Sequence, residues 1–238
     1  NILIGKYING LIFVSHATRL TIKENTKLLN YFKKGSIVIH NGVLLKKIRN
    51  KKFNKIFKIK KGILKVGMLS RIEEYKGQLD LVDGFSNLPD KIKEKFKIFF
   101  VGSGSSKEVK YLREKIKDHN LNRYFKIIKY LNLDSLTILK NFDVLVSLTR
   151  NFEGFGYSVA EALYVGTPVI STRVGGMVEF LNDKNSKLIN PMDIKSITKA
   201  LEDFTKQKHK WKQKTYSGKK LIIKKFNSEN MSKSFLKY

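Results

Sequence analysis

Short apolar runs alternate with amphipathic stretches along most of the chain. Residues 10–15 (GLIFVS) form an apolar run that ends in small polar residues and predicts a buried strand. Residues 17–32 then predict a helix, with Ser15 placed to cap it. Residues 36–39 predict a second short strand, closed by the turn pair Asn41–Gly42. Residues 44–61 are basic, lack a period and predict a linker. Beyond them the rhythm is regular. Strands are predicted at 63–69, 97–101, 124–128, 143–147, 168–171 and 187–189. Helices are predicted at 77–88, from the Gly102–Ser103–Gly104 turn to about His119, at 134–141 with Asp134 as N-cap, at 158–165, at 177–181 and at 194–204.

The strand segments are nearly unbroken apolar runs, as a sheet covered on both faces requires. Strands alternating with helices of this length predict the α/β class, a Rossmann-like parallel sheet with helices on both faces. The chain therefore divides into 1–44, a basic linker at 45–61, a Rossmann-like domain at 62–205 and a Lys-rich C-terminal tail at 206–238. The tail carries Trp211 and Phe226 and predicts one or two helices. No internal repeat is visible.

In such sheets ligands bind beyond the carboxyl ends of the strands, so the residues after each strand carry the chemistry. After the 63–69 strand come Arg71 and Lys76, flanking a short loop at a helix start. Two cations beside a helix N-terminus can hold a diphosphate, the backbone amides adding to the side-chain charge. An ordinary basic loop is the alternative there. After the next strand, Gly102 and Gly104 could let backbone approach a ligand closely, or simply turn the chain. The third glycine of a dinucleotide fingerprint is replaced by Lys107. After the 143–147 strand come Glu153, Gly154, Phe155 and Gly156, then Glu161 inside the following helix. Both carboxylates can face one crevice and accept from paired sugar or ribose hydroxyls, while the glycines expose helix-start amides. Gly175 and Gly176 open a further helix after the 168–171 strand.

Together these segments resemble the group-1 (family 4) retaining GT-B glycosyltransferases. The run from Glu153 to Glu179 (EGFGYSVAEALYVGTPVISTRVGGMVE) resembles that family's E-x7-E region. Ser70–Arg71 to Lys76–Gly77 resembles its phosphate-gripping R-x4-K-G loop, and Val101–Gly104 its VGxG turn. FVSHATR, ending at Arg19, and VIHNGV, ending at Val43, resemble the end of its first domain and the crossing into the second. The resemblance covers about residues 8–205.

It implies a donor-binding half of a GT-B fold, with 1–44 as the remnant of an acceptor domain. Arg71 and Lys76 would neutralise the donor diphosphate and stabilise the departing nucleotide. Glu153 would contact hydroxyls of the transferred sugar, helped by amides around Phe155–Gly156 and by Gly154. Glu161 would accept from the ribose, the base would rest near Ile128–Tyr130, and Gly102, Gly104, Gly175 and Gly176 would lie against the donor. Anomeric retention is likewise an implication of the resemblance. So is a glycan or lipid-linked acceptor in surface polysaccharide or lipopolysaccharide synthesis. The donor expected is a UDP-sugar, with GDP-mannose next. The sequence also departs from the family. Lys129 stands where it usually has glycine, and only 44 residues precede the linker, where relatives carry a much longer first domain. The chain is thus expected to be part of a longer enzyme and to bind nucleoside diphosphate with little turnover by itself.

Composition trims the alternatives. The 238 residues contain no cysteine, which excludes disulfides and thiolate metal sites. The four histidines are scattered, and no DxD-type carboxylate pair suits a bridging metal. Asp80 and Asp83, a helical turn apart, read as a solvated face. No metal and no cofactor are therefore expected. The net charge of +28 is large, but lysine, asparagine and isoleucine are abundant throughout, as in an AT-biased genome. Basic clusters at 46–61 and 206–225 suit an anionic membrane surface. They lack the spacing of a recognition helix, so nucleic acid is not an expected partner. No apolar run approaches the roughly 20 residues of a membrane span. A cytoplasmic protein, peripheral on the inner membrane face, is the expectation. Two other readings remain: a related GT-B enzyme such as an epimerase, and a non-catalytic basic protein binding membrane or nucleic acid.

Overall fold

The computed structural model describes residues 9–25, 35–48, 57 and 59–238. Strands β1 (Leu11–Phe13) and β2 (Ser36–Val38) pair in parallel around helix α1 (His16–Asn25). The main unit follows. It comprises β3 (Leu64–Leu69), α2 (Gln78–Ser86), α3 (Asp90–Lys93), β4 (Phe96–Val101), α4 (Ser106–Asp118), β5 (Phe125–Ile128), α5 (Ser135–Lys140), β6 (Val144–Ser147), α6 (Tyr157–Val165), β7 (Val169–Thr172), β8 (Lys187–Ile189) and α7 (Ile194–Lys206). Two C-terminal helices close the chain, α8 (Lys208–Lys225) and α9 (Ser228–Lys237).

β3 to β8 form one parallel sheet in the order β5-β4-β3-β6-β7-β8. Counted from β3 as the first strand, this is the order 3-2-1-4-5-6 of a doubly wound sheet. The central strands are buried nearly end to end, as covered faces demand. One core layer lies under α2, α4 and α7 and the other under α5, α6 and α8. Phe85 anchors the first, in edge contact with Phe96, Tyr124 and Phe125. Such aromatic pairs add about 0.5–1.5 kcal/mol beyond the area they bury. In β3, Gly67 leaves room for the Phe142 ring, which a Cβ would meet at 2.1 Å.

Helix starts follow local signals. Ser105 and Glu108 form a reciprocal capping box on α4. Asp134 accepts from the Thr137 amide at 3.1 Å at the start of α5. Ser15 accepts from the Thr18 amide at 3.0 Å, the expected cap of α1.

Two details differ from the sequence pattern. The four-residue α3 was hidden by its shortness. The helix expected at 177–181 is a 3-10 turn at Gly175–Glu179, because the glycine pair starts it earlier. Most of the expected linker, 49–56 and 58, lies outside the described residues, as does the expected helix beyond Asn25. The tail packs on α6, where Gly218 sits on Leu163, and returns to the N-terminal segment. There Val43 donates to Phe226 O and accepts from Ser228 N.

Candidate functional site

The sheet order reverses between β3 and β6, and their carboxyl ends open one crevice. Gly77 lets the start of α2 press on the end of β6. It has φ +77°, and a Cβ there would lie 2.2 Å from Leu148 O. Arg150 N donates to Tyr75 O at 2.8 Å and closes the same edge. Gly102, with φ +149°, presses on Ser70 O, and Gly104 bridges to Ile72. These two glycines therefore hold the Arg71 loop, with no room for a side chain at either.

Charge converges in this crevice. Lys76 Nζ lies 2.7 Å from Glu153 Oε2, with only 14% and 25% of the two side chains exposed. The ammonium also lies 4.9 Å from the centroid of the Tyr75 ring. Arg71 is more open; its guanidinium reaches Glu73 at 2.7 Å and the Tyr75 hydroxyl at 3.0 Å. Ser70, Thr149, Gly156 and Ser158 complete a cavity of about 30 Å³ around the Lys76–Glu153 pair. Neither α2 nor α6 has a side-chain cap, since glycines occupy both N-cap positions. Two helix starts thus offer uncapped amides and positive dipole ends beside Lys76. The Glu153 loop is held from behind. Gly176 N donates to Glu153 O at 2.7 Å, and a Cβ on Gly175 would lie 2.1 Å from that oxygen.

A second group sits further along α6. Glu161 lies five residues after Gly156, about 7.5 Å along the axis. It accepts from Ser135 Oγ at 3.0 Å. Burial pushes its carboxyl above the ordinary range, outweighing the pull of Ser135 and Lys46. Nearby, Lys46, Tyr130 and Asp134 line an open cleft of about 510 Å³. An ionised carboxylate whose folded pKa is raised costs stability above that pKa. Glu161→Gln is therefore expected to raise the melting temperature at pH 7.5. The gain should vanish as pH falls below about 4.3, where glutamate is protonated in both states. A thermal-shift series over pH checks this, and a lower melting point at pH 7.5 would contradict it.

The structure thus brings Arg71, Lys76 and Glu153 together, with Gly154 and Gly156 at the same helix start. Tyr130 lines the neighbouring cleft, and Glu161 lies close to it, within reach of the charges of Lys46 and Asp134. Phe155 is different: its ring is buried in the core against Tyr157, Phe180 and Phe226, so only its backbone can serve a ligand. The reading of Asp80 and Asp83 as a solvated face is corrected. Asp80 is buried and clasped by Arg150 through two bonds of 3.0 and 2.7 Å. Asp83 pairs with Lys115 at 2.7 Å and His119 at 3.2 Å. Their partners lie far away in sequence, which spacing could not show.

The sequence reading also passed over Glu179. Its Oε1 accepts from Ala17 N at 2.9 Å, and its Oε2 from His16 N at 3.1 Å. His40 Nε2 lies 2.6 Å from that same Oε2. Burial pushes this carboxyl up, but the Ala17 amide, His40 and the His16 amide outweigh it and hold it below its ordinary range.

A doubly wound sheet with glycine-started helices at its switch point defines a Rossmann-like domain of the GT-B kind. In fold it matches Anabaena HepE, solved with UDP and glucose, at a TM-score of 0.87 and 19% identity. The match spans 96% of this chain and 62% of that one. The family described as glycosyl transferases group 1 matches residues 49–221, and the chain belongs to it.

Among curated relatives, the 2-deoxystreptamine N-acetyl-D-glucosaminyltransferase of Niallia circulans is 30% identical, over 54% of this chain and 33% of that protein. The capsular polysaccharide biosynthesis glycosyltransferase CapM of Staphylococcus aureus is 27% identical, over 83% and 54%. The chain thus matches a third to about half of the length of these two relatives.

Proposed function

We propose that this chain is the donor-binding part of a retaining glycosyltransferase that uses a nucleoside-diphosphate sugar. The observation that carries the reading is the Lys76–Glu153 pair, largely buried between two uncapped helix starts. Diphosphate entering there exchanges the Glu153 carboxylate for its own oxygens on Lys76, with Arg71 closing from the open side. Freed from the lysine, Glu153 accepts from hydroxyls of the transferred sugar. Glu161, further along α6, accepts from the ribose, and the base rests by Tyr130. As the glycosidic bond breaks, negative charge grows on the leaving phosphates, and preorganised cations and amides stabilise it. Lys76 and Arg71 supply that charge at the diphosphate without a metal.

UDP is the favoured nucleotide, in keeping with the UDP-bound HepE structure. The acceptor proposed is a glycan or lipid-linked precursor of a surface polysaccharide or lipopolysaccharide, a role in line with CapM. Exposed Lys219, Lys220, Lys224 and Lys225 on α8 suit a peripheral position on an anionic membrane, on the cytoplasmic face. Among the described residues no helix is long and apolar enough to cross a membrane.

Calorimetric titration with UDP, GDP and ADP tests the donor reading. Saturable binding with UDP tightest is expected. If no nucleotide binds and the chain instead binds DNA or lipid in a salt-sensitive manner, the reading fails.

A further inference from the structure

Two of the chain's four histidines meet at one carboxylate. His16 opens α1, His40 follows β2, and Glu179 ends the Gly175–Glu179 turn. Glu179 is 139 residues from His40 and 163 from His16, so the fold alone assembles the group. One ligand atom from each of the three residues lies within 4.8 Å of the other two.

The Glu179 bonds described above account for its carboxylate and for His40. They leave the His16 ring unexplained. Among the described residues, its recorded contact is with the His40 ring, at a centroid distance of 5.7 Å and tilted by 57°. Bonds of about 2.0–2.2 Å to a tetrahedral ion set neighbouring ligand atoms about 3.3 Å apart. The observed separations, from 2.6 Å up to the 4.8 Å limit, bracket that value. Small rotations of two side chains would bring all three onto one ion.

We propose that His16, His40 and Glu179 form a binding site for a zinc-class divalent transition metal. The ion would clamp the β1–α1–β2 segment to the donor-binding domain. Two imidazole nitrogens and one carboxylate oxygen suit zinc, whereas calcium and magnesium take oxygen sets. Supporting contacts are already in place. The Ala17 amide holds the second oxygen of Glu179, and Phe226 meets the His40 ring edge-on at 5.2 Å. His16 is exposed, so an ion and a fourth, water ligand can reach the site from solvent. On binding, the His40–Glu179 hydrogen bond gives way to two metal bonds, and any imidazole proton is released to solvent.

The test is equilibrium dialysis of chelator-treated chain against Zn²⁺ in phosphate-free buffer, with Co²⁺ as an optical probe. One ion per chain is expected, with the intense visible absorption of four-coordinate cobalt. His16→Ala should weaken binding at least tenfold while leaving the metal-free melting temperature unchanged. His40→Ala and Glu179→Gln should also lose the ion. His119→Ala, at the histidine that pairs with Asp83, should bind as the parent does. If His40→Ala fails to fold, His16→Ala decides. Absence of saturable binding, or equal binding by the parent and His16→Ala, would overturn the proposal.

Discussion

Lys76→Ala is expected to weaken UDP binding by about 10–100-fold, because a hydrogen bond to a charged group contributes about 1.5–3 kcal/mol. Two features put this lysine above the other cations. Its side chain is only 14% exposed, against 66% for Arg71, so solvent screens it far less. It also stands where the uncapped starts of α2 and α6 add their amides. Removing it leaves the Glu153 carboxylate without its ammonium partner and facing the incoming phosphates. Part of the loss is therefore repulsion, and Lys76→Ala/Glu153→Gln should bind UDP more tightly than Lys76→Ala. Arg71→Ala should weaken binding less than Lys76→Ala. Calorimetric titration of the four proteins reads all of this. Unchanged affinity in Lys76→Ala would remove the basis of the proposed donor site.

What the sequence showed, it showed through local rules. Each strand of the sheet is a short, largely apolar run, and each was placed to within a residue or two. Asp134 and Ser15 announced their helices because capping is a three-residue event. The strand-end loops were legible because a doubly wound sheet sends its ligands to those loops. What stayed hidden depends on partners distant in sequence. Asp80 looked like half of a solvated helical face until Arg150, seventy residues on, folded over it. Glu179 looked like one residue of a short helix behind a glycine pair, yet it caps α1 across 162 residues. Gly102, Gly104 and Gly175 carried a signal of close approach, but not of what approaches. The structure gives that as Ser70, Ile72 and the Glu153 backbone.

Arg150 makes the second large effect. Its guanidinium grips Asp80 with two bonds, while its backbone amide donates to Tyr75 O, one residue before Lys76. The pair is largely withdrawn from solvent, with 20% of Arg150 and 6% of Asp80 side-chain surface exposed. The hydrogen bond to Asp80 pushes the Arg150 pKa above its ordinary value, so the charge persists at every working pH. Arg150→Ala strands a carboxylate inside α2, which costs about 3–5 kcal/mol and should lower the melting temperature by roughly 10 °C. Replacing both partners with apolar groups, Arg150→Met/Asp80→Leu, should recover most of that loss, since an unpaired buried charge costs more than an absent pair. Recovery of stability need not restore nucleotide affinity. The side-chain clasp fixes the loop that presents Glu153, so the double variant is expected to melt near the parent yet bind UDP more weakly. Thermal melts combined with UDP titration separate the two effects. A single Arg150→Ala variant that melts within a degree of the parent would show that the clasp carries no strength.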